Sequence, residues 1–239
     1  MSLPLVLFHG FTGSPASFDD VLTRLPTQSA LRPSLLGHGV DDDRVRTFDD
    51  EVDRLAATLG RAPAHLCGYS LGARLALGIA VRHPARVARL TLIGVHPGLR
   101  TETERDERRR ADRRWLELLE GCGIAAFVDA WSAQPLFATQ RQVPEAARER
   151  RKRERLSHDP RGLARSLRVT GLAEMPDFRA HLGKVRIPVT LLTGELDAKF
   201  SALADELVRL FPDARRTSVP GAGHDLLLER PDLVGPVLT

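Results

Sequence analysis

Cysteine is almost missing from this chain. Cys67 and Cys122 are its two cysteines in 239 residues, with no C-x-x-C spacing. That excludes a disulfide framework and predicts two free thiols in a reducing cytoplasm. Long hydrophobic runs are missing too, so no membrane span is expected. The chain enters a strand at 3–8 without a charged leader and cleavage site, which argues against export or anchoring. Aromatic residues make up only 5% and are not interleaved with the basic runs, and no nucleic-acid recognition motif is present. Lysine is scarce, restricted to Lys152, Lys184 and Lys199, whereas arginine is abundant and concentrated in 100–114 and 148–155. With a net charge of +4, these features favour a small anionic partner over nucleic acid or a membrane surface. Most of the arginines read as solvated helix faces. No cofactor or metal is indicated.

What is present is an ordinary globular composition, 42% hydrophobic and 28% charged, long enough for one α/β domain with an insertion. Short, mostly apolar runs predict strands near 3–8, 30–33, 64–68, 88–94, 187–193 and 214–219. Helical patterns fall between them at 17–25, 48–60, 71–83 and 201–211, with a last helix near 226–238. Strand alternating with helix predicts a parallel, doubly wound sheet. The arginine-rich stretch from about 97 to 183 breaks the alternation and carries both tryptophans, Trp115 and Trp131. It sits where a helical cap would be inserted over the carboxyl ends of the strands, dividing the core into 1–96 and 184–239 around a 97–183 insertion.

Gly68-Tyr-Ser70-Leu-Gly72 joins the apolar run ending at Gly68 to an apolar segment at 71–81, too long for a strand. A serine between glycines at a strand-to-helix turn is the pattern of a nucleophile elbow. The serine needs a base, and His224, in the turn Gly221-Ala-Gly-His224 after the last strand, is the candidate by chain order. The orienting acid is Asp197 in Thr193-Gly-Glu-Leu-Asp197, with Glu195 as second choice. Asp225, adjacent to His224, would not reach the imidazole from the outer side. Asp197 taken alone fits a helix N-cap as well. Oxyanion donors would be the backbone N–H groups of Leu71 and of Phe11, which follows the first strand in Phe8-His-Gly-Phe11.

Arg74 is the one ionisable residue between Ser70 and Val81, a turn beyond the serine on the same helix face. Either a buried carboxylate pairs with it, or it borders the pocket and meets an anionic substrate. In the helix near 105–122, an angular step of 100° puts Ala111, Trp115, Leu118, Leu119 and Cys122 on one face. Arg108 falls in the middle of that face, while Arg109, Arg110, Arg113 and Arg114 fall opposite. Arg108 is therefore a substrate-clamp candidate. The basic run at 148–155 has no clean apolar stripe, and periodicity selects no arginine there.

His9-Gly-Phe11-Thr-Gly13, Leu36-Gly-His-Gly39 and the elbow resemble the α/β-hydrolase superfamily, without the strands often found before its His-Gly loop. More narrowly, Gly68-Tyr-Ser-Leu-Gly-Ala-Arg74, His96-Pro-Gly-Leu99, Glu107-Arg108 with Asp112-Arg-Arg-Trp115, Trp131 with Gln134-Pro-Leu-Phe137, and Gly194-Glu-Leu-Asp-Ala-Lys-Phe200 resemble one family. It is that of the 2-succinyl-6-hydroxy-2,4-cyclohexadiene-1-carboxylate synthases of menaquinone biosynthesis, and the likeness covers nearly the whole chain. Gly72-Ala73-Arg74 departs from the family's commoner Gly-Gly-Arg. The resemblance implies an α/β-hydrolase fold and a carbon–oxygen lyase step. In it a proton α to a ketone is removed by Ser70, or by Ser70 and His224 together, and pyruvate leaves a substrate carrying three carboxylates. It also implies substrate contacts from Arg74, Arg108 and Arg155, with Tyr69 and Trp131 lining the site. A serine hydrolase of the same fold and a catalytically silent scaffold are the rival readings.

Overall fold

The computed structural model describes residues 3–25 and 30–238. Six strands form one all-parallel sheet in the order β2-β1-β3-β4-β5-β6. They are β1 (Leu5–Phe8), β2 (Ala30–Leu31), β3 (Ala64–Tyr69), β4 (Val87–Ile93), β5 (Val189–Gly194) and β6 (Ala214–Val219). The central strands β1, β3 and β5 are buried along their whole length, which is why they read as continuous apolar runs instead of alternating ones. All six predicted strands are present.

The helices are α1 (Asp19–Leu22), α2 (Phe48–Thr58), α3 (Leu71–Arg82), α4 (Glu102–Glu117), α5 (Gly123–Ser132), α6 (Glu145–Leu156), α7 (Pro160–Thr170), α8 (Ala198–Leu207), α9 (Leu226–Glu229) and α10 (Pro231–Val234). A Thr47–Asp50 capping box starts α2, whose Phe48, Val52, Leu55 and Ala56 repeat at helical spacing and are buried. They pack toward α3 at Gly78, where a Cβ would come within 2.6 Å of Val52.

Two predicted helices are interrupted. The 226–238 segment breaks into α9, α10 and a 3₁₀ turn at Gly235–Val237, because Pro231 and Pro236 lack the amide an uninterrupted helix requires. The 17–25 segment is a 3₁₀ turn, Pro15–Phe18, followed by the single turn of α1. The predicted 201–211 helix starts earlier, at Ala198, because the Asp197 side chain accepts from the Phe200 amide and caps it.

Helices α4 to α7 are inserted between β4 and β5 and share their own buried cluster, centred on Trp115, Leu119, Phe127 and Leu163. The last part of the insertion packs differently, since Leu172, Met175, Phe178 and Leu182 join the core of the sheet. A π-helical turn at Leu118–Cys122 separates α4 from α5. Glu154 on α6 fastens the insertion to the loop after β1. It accepts from the Ser14 amide at 2.9 Å and from the Ser14 and Ser17 hydroxyls at 2.6 Å each. It also pairs with Arg151 at 2.7 Å. On the other side, α7 lies against Gly37, whose φ is +74° and where a Cβ would come within 2.0 Å of the Gly162 carbonyl. The Leu36-Gly-His-Gly39 motif is thus a docking seat for α7. Among the described residues no helix is long and apolar enough to cross a membrane.

Candidate active site

Ser70 stands at the junction of β3 and α3 with φ 52° and ψ −107°, a conformation that costs a non-glycine residue strain. Its neighbours make the turn possible. A Cβ on Gly68 would lie 2.3 Å from the Gly72 carbonyl oxygen, and one on Gly72 would lie 2.1 Å from that of Phe8. The Ser70 amide donates to the Ile93 carbonyl at 2.8 Å, tying the turn to the end of β4.

The three sequence-predicted catalytic residues meet at this turn. The Ser70 hydroxyl donates to His224 Nε2 at 3.2 Å, and His224 Nδ1–H donates to Asp197 Oδ2 at 2.7 Å. Asp197 and His224 are buried, as an orienting pair must be if water is not to compete for their hydrogen bond. Phe200 packs against the imidazole with ring centroids 4.4 Å apart, and Tyr69 lies 5.4 Å away. Gly94, with φ +59°, leaves room for the ring, since a Cβ there would sit 2.7 Å from His224 Cε1. Glu195 is on the outside, accepting from the Gly221 amide at 2.9 Å and so bracing the turn before His224. Asp225 is buried but faces away, accepting from Gln140 at 3.2 Å and Arg151 at 3.4 Å.

Ser70 and His224 open into a cavity of about 340 Å³ between the sheet and the inserted helices, large enough for a small molecule. Phe11, Leu71, Tyr69, Arg74, Arg108 and Trp131 all line it. The Phe11 loop is held by His38, whose Nε2 accepts from the Thr12 amide at 3.1 Å while its Nδ1–H donates to Leu36 O at 3.0 Å. Thr12 has φ +66°, so this support holds a conformation the loop would not keep by itself. Trp131 presents a buried Nε1–H without a partner among the described residues.

Arg74 resolves one of the alternatives. No carboxylate pairs with it among the described residues, and its guanidinium donates to the Thr170 carbonyl at 2.9 Å. Burial, with Arg108 beside it, pulls its pKa down to about 9. It stays charged at neutral pH and gains by an incoming anion. Arg108 reaches the cavity with Nε bound to both Asp112 oxygens at 2.9 Å, leaving the rest of its fork available.

Two expectations need correction. Ala111 and Cys122 are exposed, and the inward face of α4 runs through Arg108, Asp112, Trp115 and Leu119. The π-helical turn takes Cys122 off the 100° progression, and Asp112 is inward because it is the partner of Arg108. Arg109 lies on the solvent side as expected, where it pairs with Glu102, Asp106 and Glu174. Arg155 is not among the residues lining the main cavity. It is buried behind Phe137, with its guanidinium 5.1 Å from that ring and donating to Ser132 at 2.7 Å.

His96 and Lys199 line the cavity too, without having been singled out as functional. Both stand in motifs already noted, but no periodicity places a loop residue such as His96, or a first-turn residue of α8 such as Lys199, on a cavity wall.

An alpha/beta hydrolase family model matches residues 5–236. The chain is similar to the 2-succinyl-6-hydroxy-2,4-cyclohexadiene-1-carboxylate synthase of Enterobacter sp. (strain 638), with 36% identity over 98% of this chain and 89% of that protein. It is also 36% identical to the protein of the same name from Citrobacter koseri, over 95% of this chain and 88% of the other. Among solved structures, that of MenH from S. aureus superposes with a TM-score of 0.91 at 28% identity, covering 99% of this chain and 92% of that one.

Proposed function

Because the chain belongs to the alpha/beta hydrolase family and, within it, to the 2-succinyl-6-hydroxy-2,4-cyclohexadiene-1-carboxylate synthases, we propose that its serine works as a base and not as an acylating nucleophile. The reaction is the lyase step of menaquinone biosynthesis, the elimination of pyruvate from 2-succinyl-5-enolpyruvyl-6-hydroxy-3-cyclohexene-1-carboxylate. A proton leaves the ring carbon α to the succinyl ketone. The electron pair moves through the ring, the carbon–oxygen bond to the enolpyruvyl group breaks, and the ring gains its second double bond. The departing enolpyruvate is protonated to pyruvate. No water is consumed and no acyl-enzyme is needed.

Ser70 takes the substrate proton as its own passes to His224, and Asp197 stabilises the imidazolium that forms. The amides of Phe11 and Leu71 hold the negative charge that develops on the ketone oxygen. Arg74 and Arg108 receive substrate carboxylates, and Tyr69 and Trp131 shape the wall, with Trp131 Nε1–H as a donor. Arg155 keeps Phe137 in place from behind. The 97–183 segment acts as a cap over the 1–96 and 184–239 core, and the enzyme works on this small polycarboxylate in the cytoplasm. The observation that carries this reading is Arg74. A half-buried guanidinium that no carboxylate pairs among the described residues, one helical turn from the serine, suits an anionic substrate and is wasted on a neutral ester.

The deciding experiment is a pyruvate-release assay on the enolpyruvyl substrate. The parent protein releases pyruvate, and Ser70→Ala lowers kcat by about 10³-fold or more with an unchanged melting temperature. The complete Ser-His-Asp geometry also suits a serine hydrolase of the same fold. Turnover of p-nitrophenyl esters with no pyruvate released would favour that reading instead.

A further inference from the structure

The substrate brings three carboxylates, but only two of the arginines implied by resemblance, Arg74 and Arg108, line the cavity. Arg155 stands outside it, beside Phe137, and lines a small adjoining pocket with Phe11 and Tyr69. A carboxylate without a partner would lose most of its hydration for nothing in return. The cavity wall where the chain leaves β4 and β5 offers another pair of donors.

The first is Lys199, on α8 two residues beyond Asp197. It lies at the exposed rim of the cavity and forms no ion pair among the described residues. Its ammonium is 5.7 Å from the Phe200 ring centroid, so it is held near the ring that packs on His224. Burial of its surroundings, and then Arg108, lower its pKa below the usual lysine value, the direction expected of an ammonium short of counter-charge.

The second is His96, three residues past β4 and buried in the wall. Its Nδ1 accepts from the Gly98 amide at 3.1 Å, so in the neutral ring the proton is on Nε2. Burial, together with the positive charges of Lys199 and Arg74, pulls its pKa down to about 3. The ring is thus a neutral N–H donor throughout the physiological range. It adds a hydrogen bond without adding a charge that would repel Arg74 and Lys199.

We infer that Lys199 and His96, together with Arg74, form a carboxylate subsite on the β4–β5 side of the cavity, in which Lys199 supplies a cation at the rim. This rests on the lyase reading above and deepens it. The subsite is asymmetric in a useful way. Lys199 at the rim meets the anion as it enters, and His96 and Arg74 hold it in the less solvated interior.

The test uses Lys199→Met, which keeps the stem and removes the charge at an exposed position, with Lys199→Arg as the conservative variant. In the pyruvate-release assay Lys199→Met raises KM about 10-fold with kcat changed less than about 3-fold, the signature of lost ground-state binding. Lys199→Arg restores KM to within about 3-fold of the parent. Succinate and pyruvate are used as competitive inhibitors to represent two of the carboxylate arms. Weaker inhibition of Lys199→Met than of the parent by either one supports the subsite. An unchanged KM, together with equal inhibition of both proteins by both acids, overturns it. Failure of the parent protein itself to release pyruvate overturns the reaction assignment instead, so the two failures are separable.

Discussion

At the scale of single residues, the site depends on a few atoms that have no freedom to be elsewhere. Ser70 keeps a positive φ because glycines on both sides let three backbone segments meet at distances no Cβ would tolerate. The choice between Asp197 and Glu195 is likewise a matter of atoms. The two are separated by one residue in sequence, yet one holds His224 Nδ1 at 2.7 Å and the other holds a surface amide. Asp197→Asn should therefore lower kcat for pyruvate release by about 10³- to 10⁴-fold, because the amide no longer favours the tautomer that accepts from Ser70. Glu195→Gln should leave kcat within about 2-fold of the parent. Steady-state rates of the two variants decide this, and equal losses would remove Asp197 from its assigned role.

At the scale of elements, α4 shows how a helix can be legible in one respect and misread in another. Its Thr101–Glu104 capping box and amphipathic spacing are local properties, set by hydrogen bonds within a few residues. Which charged groups the inward face retains is decided by the partner it meets. Asp112 is tolerated there because Arg108 binds both of its oxygens, and that pair turns Arg108 toward the cavity. Arg108→Ala should lower kcat/KM about 10²-fold or more, as loss of a charge-assisted contact to a carboxylate requires. Arg109→Ala, removing a surface ion cluster on the same helix, should change kcat/KM by less than about 2-fold. Similar kinetics in the two variants would refute the inward assignment of Arg108. The π-helical turn that ends α4 has no signal in a 100° pattern, which is why spacing alone puts Cys122 on the inward face although it is exposed.

At the scale of the whole molecule, several buried histidines couple stability to pH. Burial is the main cause in each case, holding His9 and His65 at about 4 and His96 at about 3. These values lie below the ~6.5 of an unfolded chain, so as pH falls the unfolded state takes up protons first. The stability these neutral rings provide is fully present above about pH 6.5 and is lost progressively as pH falls toward 4. Each contributes a slope of about 1.4 kcal/mol per pH unit inside that window. Urea midpoints measured at pH 7, 6 and 5 should fall steadily, and His65→Gln should flatten the slope. Midpoints that do not move between pH 7 and 5 would contradict the burial of these rings.

The sequence by itself determined the parts whose physics is local. Short, mostly apolar runs marked the strands, β6 with its two arginines being the exception, and glycines around Ser70 marked the elbow. Chain order selected His224 and Asp197, and helical spacing pointed Arg108 inward. Tertiary structure alone decided the rest, because the catalytic hydrogen bond joins Ser70 to a residue 154 positions away and no periodicity spans such a separation. It left Arg74 without a carboxylate partner among the described residues, turned Arg155 behind Phe137 and brought Lys199 and His96 to the cavity wall. Each outcome depends on what packs against a side chain from a distant element. A charge finds its partner only when the chain has folded, whereas the turn that presents Ser70 is written in five consecutive residues.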